Sequence, residues 1–389
     1  MKFLYIKGGR AIQEAQLLFD RVGELPDGGP DKFLLAVLFY TKNSILRLVS
    51  YGPENIKLKI NEREVFEYGA RPVSKNKLIK RLNFINAICL FFKDTVIFRP
   101  NHVFCGVDGP FALIVWFTAR LVGSKFVLFA HNALALPSTS FSYKISNKFL
   151  CKNSDVIVAH GPYVKDEAIR LGGDISSVIE FNNGLDPEHL TLINKLPDRK
   201  KYKGLNFTII YVGRMEESKG VIDLYQAFKK LPASVNIRLK FIGDGSSNEV
   251  LKNYIQNDDL ADRIELLGLI PYTEVFSHIN QASVMVTPSQ SKFPEGFCKS
   301  AMESLYVGVP VVAPDYGPFP YLIKNEVNGL LYEADNVDAL CECLQKLILD
   351  EKLLANLEYG AEKSGFELMR PSTSFSRAVE LVFQKIVSV

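Results

Sequence analysis

No stretch of this 389-residue sequence is apolar for long enough to cross a bilayer. Its longest apolar region, residues 111–130, is interrupted by Arg120, Gly123 and Lys125, whereas a spanning helix needs about 20 apolar residues. The apolar run near the start, Phe3-Leu4-Tyr5-Ile6, is too short for a secretion signal. Six cysteines form no Cys-x-x-Cys pair and no regular ladder of spacings, which argues against a disulfide framework and for reduced thiols in the cytoplasm. An excess of one charge is also missing. The 46 basic and 43 acidic side chains leave a net charge of +3, which argues against a dedicated nucleic-acid binder. There is no internal repeat, no low-complexity segment, and no Asp-x-Asp at the end of an expected strand, so no metal is expected.

What is present reads as an α/β enzyme. Hydrophobic residues make up 47% and charged residues 23%, ordinary for a globular enzyme. The length exceeds one ordinary core, so two domains are expected. Strands are expected over 3–6, 33–39, 95–98, 103–107, 126–130, 155–159 and 178–181, with helices at 11–22, 74–92 and between later strands. A polar, basic stretch over 195–204 then breaks the pattern and is expected to be a linker. The alternation restarts with strands at 207–212, 237–242, 264–267, 284–287 and 309–313, and helices at 221–231, 248–257, 272–280, 336–349 and 373–389. Strands alternating with helices imply parallel sheets covered on both faces. The expected domains are 1–194 with the helix 373–389, and 205–372. Ligands of such sheets bind beyond the carboxyl ends of the strands.

The chemistry concentrates in residues 289–304, which read as strand, loop and helix. A helix start offers unpaired N–H groups and a positive dipole end, a natural seat for a diphosphate, and Gly296 permits close approach. Glu295 lies in the loop, where it would reach a sugar hydroxyl. Glu303 falls about one and a half turns past Cys298, where it would reach a ribose hydroxyl. The bland alternative is a loop carboxylate and another on a solvated face. Arg214 and Lys219 follow the strand 207–212, one able to fork two phosphate oxygens and one compact. Phe241-Ile242-Gly243-Asp244-Gly245 begins like a dinucleotide fingerprint but lacks the third glycine, so a tight turn is the simpler reading. The backbone at Leu269 and Ile270 would reach a nucleobase edge. His131 stands at a strand's carboxyl end in the first domain, and Asn183 and Gly184 end the strand 178–181 in a turn. Gly8 and Gly9 at the first strand-to-helix turn would let backbone approach a phosphate or an acceptor.

Taken in order, these pieces resemble the retaining nucleotide-sugar glycosyltransferases of the GT-B fold, family 4. The resemblance covers roughly residues 128–389 and is carried by Gly213-Arg214, Lys219, 241–245, Gly268 to Pro271, 286–289, and the two glutamates eight apart around Gly296-Phe297. Asn183-Gly184-Leu185-Asp186 is similar to the family's Asn-Gly-Val-Asp turn. The resemblance implies that Arg214 and Lys219 bind the diphosphate, with help from the backbone of Gly296, Phe297 and Cys298. It implies that Glu295 contacts the donor sugar, Glu303 the ribose and Ile270 the base, and that His131 sits near the transferred sugar. It further implies a last helix crossing back to the first domain, a UDP-sugar donor with UDP-glucose the first expectation, no cofactor, and a saccharide or lipid-linked acceptor, as in bacterial exopolysaccharide synthesis. The early, tight loop at Lys7-Gly8-Gly9-Arg10 and Cys298, where Gly or Ser is usual, depart from the pattern. The alternatives are a nucleotide-sugar epimerase or phosphorylase of the same architecture, a nucleotide-dependent oxidoreductase, and a non-catalytic membrane-surface module. The last rests on the basic helix 74–92 and makes an anionic membrane surface a further expected partner, with the protein peripheral at the inner face.

Overall fold

The computed structural model describes residues 1–7, 44–51, 56–60, 63–68, 77–136, 138–182, 187–199, 206–232, 236–293, 295–368 and 374–387. The elements expected at 11–22 and 33–39, and the residues Gly8, Gly9 and Asn183, lie outside that set. The chain divides into two compact units, Met1–Asn183 with Pro371–Val389, and Gly184–Arg370.

The first unit contains β1 (Lys2–Lys7), β2 (Ile45–Tyr51), β3 (Ile56–Ile60), β4 (Arg63–Tyr68), α1 (Lys77–Phe98), β5 (His102–Gly106), α2 (Gly109–Leu121), β6 (Lys125–Ala130), α3 (Phe141–Asn153), β7 (Val156–His160), α4 (Gly161–Arg170) and β8 (Val178–Phe181). Its sheet runs β3-β4-β2-β1-β5-β6-β7-β8, parallel except where β3 meets β4. Residues 95–98 are not a strand. They form the last turn of α1, because Thr95 and Phe98 lie on its inward face beside Phe91 and are buried there. Their β-branched and aromatic character fits a strand equally well, and packing decides.

The second unit holds α5 (Pro187–Ile193), β9 (Phe207–Val212), α6 (Val221–Lys229), β10 (Ile237–Ile242), α7 (Asn248–Asn257), β11 (Ile264–Gly268), α8 (Tyr272–Gln281), β12 (Val284–Val286), α9 (Lys299–Val307), β13 (Val311–Pro314), α10 (Phe319–Leu322), β14 (Gly329–Tyr332), α11 (Val337–Leu349) and α12 (Glu351–Leu368). Its sheet is parallel throughout, in the order β11-β10-β9-β12-β13-β14. Alternate residues of β9 feed opposite faces. Ile209 and Tyr211 pack with α6 and α7, and Ile210 packs with α8 and α9. Burial on both faces accounts for the unbroken apolar run of that strand.

The last helix, α13 (Phe375–Val387), returns to the first unit. Phe375, Val379, Val382 and Ile386 are buried against Phe3, Phe104, Phe129 and Phe181 on one face of the first sheet. The main-chain carbonyl of Ile386 lies 3.2 Å from His102 Nε2. The expected linker at 195–204 differs from the observed division, which falls at Asn183 and Gly184. Arg199 is tied to the second unit, donating to the Asn280 carbonyl at 2.9 Å and pairing with Glu358 at 3.0 Å.

Candidate active site

In the second sheet the winding direction reverses between β9 and β12, neighbours that are far apart in sequence. At such a point the loops leaving the two carboxyl ends diverge and open a crevice. Here those loops are 213–220 and 287–298, which carry most of the residues singled out from the sequence. They are joined directly. The Gln290 amide donates to the Ser218 carbonyl at 3.0 Å, and Gln290 Nε2 donates to Asp223 at 2.7 Å. Gly220, with φ +72°, brings the first loop so close that a Cβ there would stand 1.8 Å from the Pro288 carbonyl oxygen.

A pocket of about 310 Å³ opens where the loops meet, lined among others by Gly213, Arg214, Lys219, Tyr272, Glu295, Cys298 and Glu303. Lys219 reaches Glu295 at 2.5 Å, and Ser289 Oγ donates to the same carboxylate at 3.1 Å. Glu295 is only 8% exposed, so this pair is a shielded one. Arg214 is 60% exposed and holds Glu216 at 2.8 Å, leaving its fork largely in solvent. The ring of Phe293 lies under both cations, 4.1 Å from Lys219 Nζ and 5.4 Å from Arg214 Cζ.

On the opposite wall α9 begins at Cys298, which has extended dihedrals and no side-chain cap. The helix therefore presents its first amides and its dipole without a competing side-chain oxygen. Glu303 is not on a solvated face, the bland alternative raised by its position. It is 3% exposed, accepts a hydrogen bond from the Tyr272 hydroxyl and lies 3.4 Å from Lys299 Nζ. Burial pushes its carboxyl above the ordinary range, against the opposing pull of Lys299 and Tyr272. Burial also pushes the Cys298 thiol up to about 11, with the Glu295 charge adding to it, so the thiol stays protonated near neutrality. Thr287 Oγ1 is buried at the pocket wall with no hydrogen-bond partner among the described residues.

The structure thus brings together Arg214, Lys219, Glu295, Phe297, Cys298 and Glu303, with Gly296 buried between two of them. Ile270 is half-buried against the neighbouring core and is not part of the pocket wall. His131 belongs to the first unit, half-buried at the end of β6, with its ring 6.1 Å from His160 and 5.9 Å from Phe181. Tyr272, Phe293 and Thr287 were not singled out from the sequence. Tyr272 carried a signal in its place just after the loop that ends at Pro271, and Thr287 and Phe293 fall inside the marked stretches 286–289 and 289–304. The turn at Gly243 and Gly245 is structural. A Cβ at Gly243 would lie 1.8 Å from the Gly213 carbonyl oxygen, and one at Gly245 would lie 2.4 Å from that of Met215. A larger hollow of about 450 Å³, between Lys324, Glu326, Tyr359 and Lys363, contains none of the residues singled out.

Residues 194–364 match the family model described as glycosyl transferases group 1. This region is a group 1 glycosyl transferase domain. The whole chain has the GT-B fold. Over its full length it resembles the Anabaena Alr3699/HepE structure in complex with UDP-glucose, at a TM-score of 0.66, 15% identity and 100% coverage of both chains. Among curated relatives, an uncharacterized glycosyltransferase of Methanocaldococcus jannaschii is 32% identical over 56% of this chain, and the match spans about half, 56%, of that relative's length. The lipopolysaccharide 1,6-galactosyltransferase of Escherichia coli is 25% identical over 70% of this chain and 72% of its own. The group 1 domain contains the entire pocket. The family match and these relatives do not favour the epimerase or oxidoreductase alternatives. Among the described residues no helix is long and apolar enough to cross a membrane.

Proposed function

We propose that this chain transfers a hexose from a UDP-sugar, UDP-glucose first, to a hydroxyl of a saccharide or lipid-linked saccharide, with retention at the anomeric carbon and without a metal, in surface or exopolysaccharide synthesis. The observation that carries the reading is the pocket at the β9/β12 reversal, where two cations stand on one wall and an uncapped helix start with a buried carboxylate on the other. The HepE complex with UDP-glucose and the names of the relatives support the donor and the class of product.

In this reading the donor diphosphate lies between Arg214, Lys219 and the first amides of α9, and Glu303 accepts a hydrogen bond from the ribose. The bond between the anomeric carbon and the diphosphate oxygen breaks, leaving an oxocarbenium-like sugar beside UDP. The acceptor hydroxyl bonds to that carbon from the same face and gives its proton to the departing phosphate. Catalysis is then stabilisation of the leaving group by charges fixed before the reaction begins. Lys219 is positioned by Glu295, and Arg214 is free to turn from Glu216 to a phosphate. Glu295 would take a sugar hydroxyl with the lone pairs that Lys219 and Ser289 leave open.

The test is a panel of UDP-glucose, UDP-galactose, UDP-N-acetylglucosamine, GDP-mannose and ADP-glucose, offered with saccharide acceptors, the product's anomeric configuration being read by NMR. An α-linked product from a UDP-sugar, undiminished by EDTA, is expected. Lys219→Ala should lower turnover by about 10²–10³-fold, the usual effect of removing one transition-state donor. An inverted product, preference for another nucleotide, or near-normal turnover of Lys219→Ala would overturn the reading.

A further inference from the structure

Tyr272 opens α8 immediately after Pro271, and three contacts fix its side chain. Its ring meets the buried Phe276, one turn on, edge to face at 5.3 Å. The ammonium of Lys299, the first residue of α9, lies over the same ring at 4.6 Å. The hydroxyl donates to Glu303. A phenylalanine would fill the same space against Phe276 and Lys299, so packing does not account for the hydroxyl.

The contacts on Glu303 are one-sided. Tyr272 takes Oε1, and Lys299 Nζ lies 3.4 Å from that same oxygen. Tyr272, Lys299 and Glu303 thus close a triangle in which each meets the other two. The last torsion of a glutamate is broad when nothing holds it, and here one oxygen is held twice. The lone pairs of the other, Oε2, are left for a ligand of the pocket that Glu303 lines. Burial opposes the charge of this carboxylate, and Lys299 and Tyr272 counter it. The other elements packed on α9 bring no further titratable group to it. Strands β12 and β13 contain none, and Gly365 of α12 meets α9 at Leu305 and Tyr306, beyond Glu303.

We propose that Tyr272 is a positioning residue for the nucleoside: with Lys299 it fixes Oε1 of Glu303 so that Oε2 meets the ribose, and it thereby sets a preference for donors built on ribose over donors built on deoxyribose. This rests on the reading of Glu303 as the ribose acceptor.

The test is isothermal titration of UDP, 2′-deoxy-UDP, 3′-deoxy-UDP and uridine into the full-length parent, Tyr272→Phe, Glu303→Ala and the double variant. The parent should prefer UDP to at least one deoxy form by about 10-fold or more, the weight of a hydrogen bond to a charged group. Tyr272→Phe should reduce that preference about fivefold and weaken uridine by a similar factor, the weight of one ordinary hydrogen bond. In the Glu303→Ala background the same change should alter uridine affinity less than about twofold, because the hydroxyl acts through the carboxylate. On acidification the affinity of Tyr272→Phe for uridine should begin to fall at a higher pH than that of the parent, since one group favouring the ionised carboxylate is gone. Equal discrimination by the parent and Tyr272→Phe would overturn the proposal and make the hydroxyl a packing group. The same loss in both backgrounds would also overturn it, by making the hydroxyl a direct contact. If Glu303→Ala does not fold, the discrimination by Tyr272→Phe decides alone. A parent that binds UDP and both deoxy forms alike would overturn the ribose reading of Glu303, and the proposal with it.

Discussion

Glu303 shows how much one residue's setting can differ from what its place in a motif suggests. Burial raises its carboxyl pKa, so the folded state holds that proton more tightly than the unfolded chain does. The sign follows from linkage: this contribution to stability is complete below the ordinary value of 4.5 and is lost as pH rises through the higher folded value. When ionised, Glu303 carries a charge that burial opposes and that Lys299 and Tyr272 partly stabilise. Glu303→Gln should unfold at the same temperature as the parent or higher, while a charged hydrogen bond lost to the ribose weakens uridine binding by about 10–100-fold. Differential scanning calorimetry and isothermal titration at pH 7 check both halves; a lower Tm with unchanged affinity contradicts them. Uridine has no phosphate to titrate. On acidification its affinity for the parent should begin to fall while the pH is still above 4.5, as Glu303 takes up its proton, and the variant should show no such fall. Residue type and spacing in the motif identified Glu303 and Glu295 as candidates. The partners Tyr272 and Lys219 were not legible as partners, because 31 and 76 residues separate them from the carboxylates they hold.

At the scale of elements, the pocket depends on two loops held in register by glycine. Gly220 and Gly308 both have positive φ, +72° and +83°, yet their surroundings differ. A methyl group at Gly308 meets nothing nearer than 3.7 Å, whereas at Gly220 it would overlap the Pro288 carbonyl. Gly308→Ala should cost only the left-handed backbone penalty, about 1–2 kcal/mol, with turnover nearly intact. Gly220→Ala should cost about 3–5 kcal/mol and reduce turnover at least tenfold, by forcing Lys219 away from Glu295. Urea unfolding and steady-state rates distinguish them, and equal behaviour of the two variants would refute the argument. Five of the six strands of the second sheet were legible because they are short apolar runs closed by glycine or proline, as Val212 gives way to Gly213; β14, the four residues Gly329–Tyr332, was not. The strands β2 to β4, at one end of the first sheet, were not, since Arg47 in β2, Lys57 and Lys59 in β3, and Glu64 and Glu67 in β4 interrupt the apolar pattern. The helix α12 escaped notice behind α11, from which only Asp350 separates it.

For the molecule as a whole, two α/β units were legible from the restart of alternation at Phe207. The point of division was not, because a basic, polar composition describes a pinned surface segment around Arg199 as well as a linker. Removing residues 371–389 should have opposite effects on the two units. The first would lose four buried apolar anchors, each worth about 1.5–3 kcal/mol, a large share of an ordinary domain's stability. The second contains the entire pocket and should bind UDP within about threefold of the full chain. Hydrogen exchange across both units and a UDP titration check this; protection persisting over residues 1–183 would speak against it.

The return of α13 also sets an order of events on the ribosome. Residues 1–183 emerge before 184–370, yet the aromatic face around Phe3, Phe104 and Phe181 has no cover until Ile386 has been made. The unit that begins first is therefore completed last. During translation its bare face is exposed for as long as the whole second unit takes to appear, which makes the nascent chain a natural client for chaperones that shield apolar surface.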